Sequence, residues 1–466
     1  MEKNQKLEQM PIRKLFFQMA IPTLVAQLVN LLYNIVDRMY VGRIKGIETL
    51  GLAALGVTFP IILLISAFAA LVGMGGAPRA AIAMGKKDTD QAEKLLGNSI
   101  TLLGVFAVVL SVIFYFTKDP ILMVFGASKD SLPLASEYLG IYLFGTLFVM
   151  ISFGLNMFIT NQGFTLISML TVIIGCGCNI VLDPIFIFAF DMGVKGAAVA
   201  TVISQGISAL FVVGFLLSKK SLIKIRLKNL RLSRTIMVSI LSLGVSAFLM
   251  QATECLIQLV FNSGMQRYGN DDYVALMSIF FSISQVIVLP LSGFSQGAQP
   301  IIGYNHGARK HSRVRQTFRL LFTVNISLSV ITVLTALLFP QIFISLFTDK
   351  ASLINLGITP LRVFVFGLAI FGAQSSCQQT FLAVGEAKTS MFLAALRKII
   401  LLTPLALILP KLFGLGLWGL FLAEPISDIL ATVTTTIMFA VKKAKFGFNL
   451  PDDAEIERRE TVASNA

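Results

Sequence analysis

"GAPRAAIAMGKK", residues 76–87, is matched by "AQPIIGYNHGAR", residues 298–309, when the chain is slid along itself by 222 positions. Pro78 then falls on Pro300, Gly85 on Gly307 and Lys87 on Arg309. At the same offset Phe144-Gly145 meets Phe366-Gly367, and "NQGFTLISM" at 161–169 meets "AVGEAKTSM" at 383–391. One residue is inserted beyond this point, so Gly193 and Gly196 fall on Gly416 and Gly419 at an offset of 223. Self-similarity of this length makes the two halves copies of one plan.

The composition says what the copied plan is. Hydrophobic residues make up 56% of the 466 and charged residues only 13%, against about a quarter charged in an average soluble domain. Twelve apolar stretches of spanning length can be read, six per half, from 13–37 through 164–190 and 193–217 to 235–262 and 416–441. The expected fold is an all-α membrane protein of twelve transmembrane helices in two six-helix lobes related by the repeat. Six crossings return the chain to its starting side, so the lobes run parallel, as in secondary transporters that rock about a central site. The expected organisation is an N-terminal lobe at 1–217, a basic linker at 218–234, a C-terminal lobe at 235–445 and a polar tail at 446–466.

A net charge of +14 raises the question of nucleic acid, and the distribution of that charge answers it. Lysine and arginine concentrate in alternate loops, those around 79–94, 219–234, 309–319 and 442–459, and in the first fourteen residues. This is the positive-inside pattern with both termini cytoplasmic. The "KKSLIKIRLKNLRLSR" linker is expected to face anionic lipid headgroups rather than nucleic acid. The start, "MEKNQKLEQMPIRK", has no short apolar core or cleavage site and reads as no removable signal peptide.

Against this apolar background the polar residues stand out, because a carboxylate at mid-membrane costs about 2.5–3.5 kcal/mol on insertion scales and needs a partner or a task. In the first span Gln27, Asn30, Asn34 and Asp37 are spaced three, four and three and share one face. In the fifth, "NIVLDPIFIF" puts Asn179 and Asp183 four apart, with Asn156 at the end of the fourth span as a neighbour. Pro184 removes one backbone donor and disfavours helical geometry at Asp183, so a kink beside the carboxylate is expected. Thr201, in the sixth span, lies at the same depth in the outer half. Two carboxylates, an amide and a hydroxyl form a set of hard oxygen donors for Na⁺, or an acid pair able to hold a proton. The repeat sets Leu259 and Leu405 opposite Asp37 and Asp183, so the second half lacks that pair. It carries Glu254, Glu424 and Asp428 instead, candidates for contacts with a substrate or a second cation.

Other signals are weaker. The 38 phenylalanines and 17 methionines suit a cavity for flat organic cations, but equally a core or a lipid-facing surface. Cys176, Cys178, Cys255 and Cys377 read as small apolar fillers, and His306 and His311 lie in a basic loop. No metal site, nucleotide loop or nucleophile triad is visible, so no enzyme and no cofactor is expected.

"NLLYNIVDRMYVGR", "GMGGAPRAAIAMGKKD", "NIVLDPIFIF" and Thr201 together resemble the multidrug and toxic compound extrusion (MATE) family, in its DinF-like or MepA-like bacterial branch. The resemblance runs over roughly residues 10–445. It implies a V-shaped pair of six-helix lobes in the bacterial cytoplasmic membrane that exports small cationic or amphipathic drugs and dyes in exchange for H⁺ or Na⁺. By the same resemblance Asp37, Asn179, Asp183 and Thr201 hold the coupling cation and Pro22 is the bending point of the first helix. Glu254 looks like the seventh-helix glutamate of NorM-like members, whose tenth-helix acid is replaced here by "FGAQSSCQQT". A monomer is expected. The competing reading is a lipid or lipid-linked sugar flippase of the same broad superfamily. Such a protein would line its cavity with cationic residues; Arg362, Arg397 and Lys398 are the exceptions in mainly acidic spans, and the last two sit where they can snorkel to the cytoplasmic face.

Overall fold

A computed structural model of the chain describes residues 5–44, 48–348, 350–446 and 448. Among the described residues there is no strand. Eleven helices are long and apolar enough to cross a membrane, and a pair bent by 57° supplies a twelfth crossing. With no water to satisfy backbone groups in hydrocarbon, uninterrupted helices are the form such stretches must take.

The first six crossings are α1 (Ile12–Val41), α2 (Glu48–Gly85), α3 (Thr89–Val124), α4 (the bent pair Leu132–Phe144 and Thr146–Asn161), α5 (Thr165–Pro184) and α6 (Val194–Leu217). The second six are α7 (Arg234–Tyr268), α8 (Asp271–Gly307), α9 (His311–Leu338), α10 (Ala351–Val365 and Phe371–Ala383), α11 (Ala387–Ala395 and Thr403–Ile408, joined by the wide turn Leu396–Leu402) and α12 (Leu417–Lys442).

The repeat is visible in the backbone. Lys87 and Arg309, mates at the 222 offset, both take the left-handed conformation at φ 62° and 57°. So do Gly163 and Gly385 (88° and 77°) and Gly193 and Gly416 (55° and 52°). Left-handed geometry is unfavourable for a residue with a Cβ, so its recurrence at Lys87 and Arg309 marks the same turn built twice.

The chain forms two compact units, Ile21–Gln251 with Met1–Lys6, and Ala252–Ala466 with Leu7–Ala20. The divisions cut through α1 and α7 rather than through the basic segment 218–234. Small residues account for this. In the first unit, α2 and the opening of α7 meet so closely that a Cβ on Gly75 would strike the Ile240 carbonyl and one on Gly244 the Leu71 carbonyl. In the second, Gly297 of α8, the repeat mate of Gly75, meets the backbone of Ala20 in the same way. Glycine lets helices in a membrane approach to backbone contact, where dispersion and lipid entropy hold them.

The segments before α7 and α1 are fastened too. Asn98 Nδ2 donates to the Asn229 carbonyl (3.3 Å), Thr101 Oγ1 donates to the Leu230 carbonyl (2.6 Å), and Arg226 pairs with Glu93 (2.6 Å). In the second unit Arg313 donates to the carbonyls of Leu7 (3.0 Å) and Met10 (2.8 Å).

The core of the second unit is aromatic: Phe280 lies between Phe364 and Phe421, with ring centroids 5.6 and 5.9 Å away. Other large apolar side chains, among them Phe116, Val124 and Leu210, are exposed as a lipid-facing surface requires. The phenylalanine-rich composition is thus divided between core and lipid face. The described cysteines Cys176, Cys178 and Cys377 are free thiols, Cys176 and Cys377 buried and Cys178 half-buried, and the Cys255 side chain lies outside the described residues.

Candidate cation site

Three helices of the first unit bring oxygen donors together. α5 presents Asn179 and Asp183 one turn apart, both buried; Asp183 is fully excluded from solvent. α6 lies close against α5 because Gly196 rides on the Phe186 carbonyl and Gly175 faces Ser208. That closeness sets Thr201 beside Asn179. With its amide oriented to satisfy both neighbours, Asn179 donates to Asp183 Oδ2 (2.8 Å) and accepts from the Thr201 backbone N–H (3.3 Å). From α1, the Asp37 carboxyl, 9% exposed, lies within electrostatic range of Asp183.

Aromatic hydroxyls close the group. Tyr33 of α1, one turn before Asp37, and Tyr138 of α4 both lie close to Thr201. Tyr142, one turn beyond Tyr138, stacks on it at 6.4 Å and is buried. These tyrosines are absent from the sequence-based set. The signal existed: Tyr33 shares a face with Asp37 at spacing four, and "SEYLGIY" places Tyr138 and Tyr142 on one face of an apolar helix.

The sequence-based group is therefore divided. Asp37, Asn179, Asp183 and Thr201 meet. Asn156 does not join them: its amide donates to the Ser168 carbonyl (3.2 Å), roughly 22 Å along α5 from Asp183 at about 1.5 Å per residue. The tight turn through Gly163 sets the end of α4 against the beginning of α5, far from its end. Gln27 is half-buried and Asn30 exposed, on earlier turns of α1, and the Asn34 side chain lies outside the described residues. Pro22 is buried inside the unbroken α1, two residues past the division between units. Pro184 does not break α5 at Asp183. The helix continues through both residues and then widens into the turn Ile185–Ala189, where the Phe190 N–H reaches the Ile185 carbonyl (2.9 Å). A wide turn absorbs the missing donor without unwinding the carboxylate.

In the second unit the three acids pair with two bases. Arg397 Nε donates to Asp428 Oδ1 (2.6 Å), its Nη2 lies 3.4 Å from Glu424 Oε1, and Lys398 pairs with Glu254. This corrects the snorkelling expected of Arg397 and Lys398: the turn Leu396–Leu402 directs both inward, and the Lys398 side chain is only 9% exposed. Among the described residues no group of three or more His, Cys, Asp or Glu side chains is arranged to hold a metal ion.

The MatE family model matches this chain twice, at residues 22–185 and 246–408, once in each copy of the repeat. The chain belongs to the MATE family. It is therefore a membrane transporter and not an enzyme. It is 28% identical over 426 residues to the multidrug export protein MepA of Staphylococcus haemolyticus, covering 91% of this chain and 93% of that one. MepA of Staphylococcus aureus strain MSSA476 is 26% identical over 436 residues, covering 92% and 95%. Among solved structures, a MATE in the bent conformation superposes with a TM-score of 0.88 at 25% identity, covering 96% of this chain and 98% of that one. An outward-facing MATE multidrug resistance transporter superposes at 0.87, covering 96% and 99%.

Proposed function

We propose that this chain exports small cationic or amphipathic compounds across the bacterial plasma membrane, driven by inward movement of H⁺ or Na⁺. The observation that carries the reading is the Asp37–Asp183 pair, two carboxyl groups within electrostatic range of each other in a buried polar group. Like charges buried close together cannot both persist uncompensated, so the pair calls for a shared proton or a bound cation. Asn179 and Thr201 add neutral oxygen donors without adding charge.

The staphylococcal relatives are described as multidrug export proteins, and solved relatives as captured in bent and in straight conformations. These descriptions support a cycle in which α1 bends at Pro22 when the pair takes its cation, lowering the affinity for drug. Release of the cation to the cytoplasm resets the carrier. Coupling of this kind requires that cation and drug each weaken the binding of the other by the same factor.

The pairing of Arg397 and Lys398 with acids leaves little free positive charge for a pyrophosphate and weighs against a flippase. Expression in an efflux-deficient bacterium tests the reading. Cells should accumulate less ethidium than the vector control, and collapse of the ion gradients should restore accumulation; equal accumulation in both would refute drug export.

A further inference from the structure

Five ionisable side chains of the second unit form one group: Arg397 and Lys398 from α11, Glu424 and Asp428 from α12, and Glu254 from α7. The two bases are held very differently. Arg397 is clamped by Asp428 and Glu424, its guanidinium lies 4.5 Å over the Phe371 ring, and its carbonyl accepts from Ser427 Oγ (2.7 Å). Among the described residues Lys398 has one ion-pair partner, Glu254, and lies within electrostatic range of Glu424 and Asp428 as well. A lysine carries a compact charge on a flexible four-carbon stem, whereas the arginine fork is fixed by planar geometry. Lys398 is the member of the group that can move.

Charge provides the reason to move. Three carboxylates face two bases, so the group is one positive charge short. The shortage is localised: Glu424 Oε2 and Asp428 Oδ2 are buried and have no hydrogen-bond partner among the described residues. A buried carboxylate oxygen without a partner is costly, and a second ammonium contact would relieve it. Glu254, by contrast, has a side chain 45% exposed and is the one acid of the group that an incoming molecule can reach.

We propose that Lys398 is a tethered counter-ion that holds Glu254 until a monovalent organic cation binds there, and then swings to Glu424 and Asp428. This rests on the export reading and names the contact that selects substrate charge. One added positive charge brings the group to balance. A neutral compound cannot displace an ammonium, and a dication overshoots the balance.

The test is equilibrium binding of ethidium to the purified full chain by fluorescence polarisation. K398M removes the competitor and should tighten ethidium binding about tenfold, the size of a single competing charge pair in a partly buried site. An uncharged fluorescent probe should bind K398M and wild type alike. The gain should vanish in E254Q/K398M, because it acts through Glu254. K398Q, which keeps hydrogen-bonding capacity without charge, is read in the same way and covers a failure of K398M to fold. Ethidium binding that is unchanged or weaker in both single variants would overturn the proposal. A gain that persists in E254Q/K398M would overturn it too, by pointing to long-range charge. Absence of ethidium binding by wild type would instead remove the export reading on which the proposal stands.

Discussion

At the scale of residues, the chain concentrates polarity where two carboxyl groups meet. Asp37→Asn and Asp183→Asn are each expected to cut gradient-driven drug efflux by at least about a hundredfold, measured as initial rates in vesicles. The double variant should be little worse than either, because residues acting as one unit are not additive. Tyr138→Phe removes a hydroxyl beside Thr201 and should slow transport only a few-fold; a loss as complete as that of Asp183→Asn would make Tyr138 a direct ligand. Much of this group was legible. A carboxylate in an apolar run, an amide one turn away and a helical face of amides announce themselves by cost alone. The tyrosines were not, because an aromatic ring in a membrane helix is as easily core or lipid face. The pairing of Arg397 with Asp428 was illegible for another reason: the wide turn Leu396–Leu402 alters which side chains point inward, and apolar periodicity does not report it.

At the scale of elements, the repeated helices are positioned by glycine. A Cβ at Gly244 would fall on the Leu71 carbonyl, so Gly244→Val must force α2 and α7 apart. A several-degree fall in thermal transition, or failure to accumulate in the membrane, is the expected result, read by a fluorescence-detected thermal-stability assay. Gly104, by contrast, faces open space on α3, and Gly104→Ala should be neutral or slightly stabilising through the lower entropy of the unfolded chain. Comparable stability of the two variants would refute the packing argument. Helix number and direction could be read from apolar length and the repeat, since hydrocarbon leaves the backbone few alternatives. The course of α5 could not. Pro184 was expected to kink it beside Asp183; the helix runs on through both residues and widens in the turn Ile185–Ala189 that follows, which apolar periodicity does not report.

At the scale of the whole molecule, the repeat has kept its backbone and changed its chemistry. The first copy carries the Asp37–Asp183 pair; the second has Leu259 and Leu405 at the matching positions and an ion-paired group elsewhere. The basic loops predict that cysteine introduced at Lys220 is labelled by an impermeant thiol reagent only after permeabilisation, and cysteine at Lys129 from outside without it. The opposite pattern would invert the topology. Reciprocal coupling makes a second demand. If H⁺ is the driving ion, protons and drug compete for the carrier, so ethidium affinity should fall as pH falls; if Na⁺ drives it, affinity should fall with added Na⁺ at constant ionic strength.

The most direct measurement is efflux of ethidium from liposomes containing purified protein, under an imposed pH gradient or Na⁺ gradient, with wild type beside Asp183→Asn. Efflux driven by one of the two gradients and lost in Asp183→Asn is the predicted result. Equal efflux by both proteins, or none with either ion, would contradict a coupling cation held between Asp37 and Asp183.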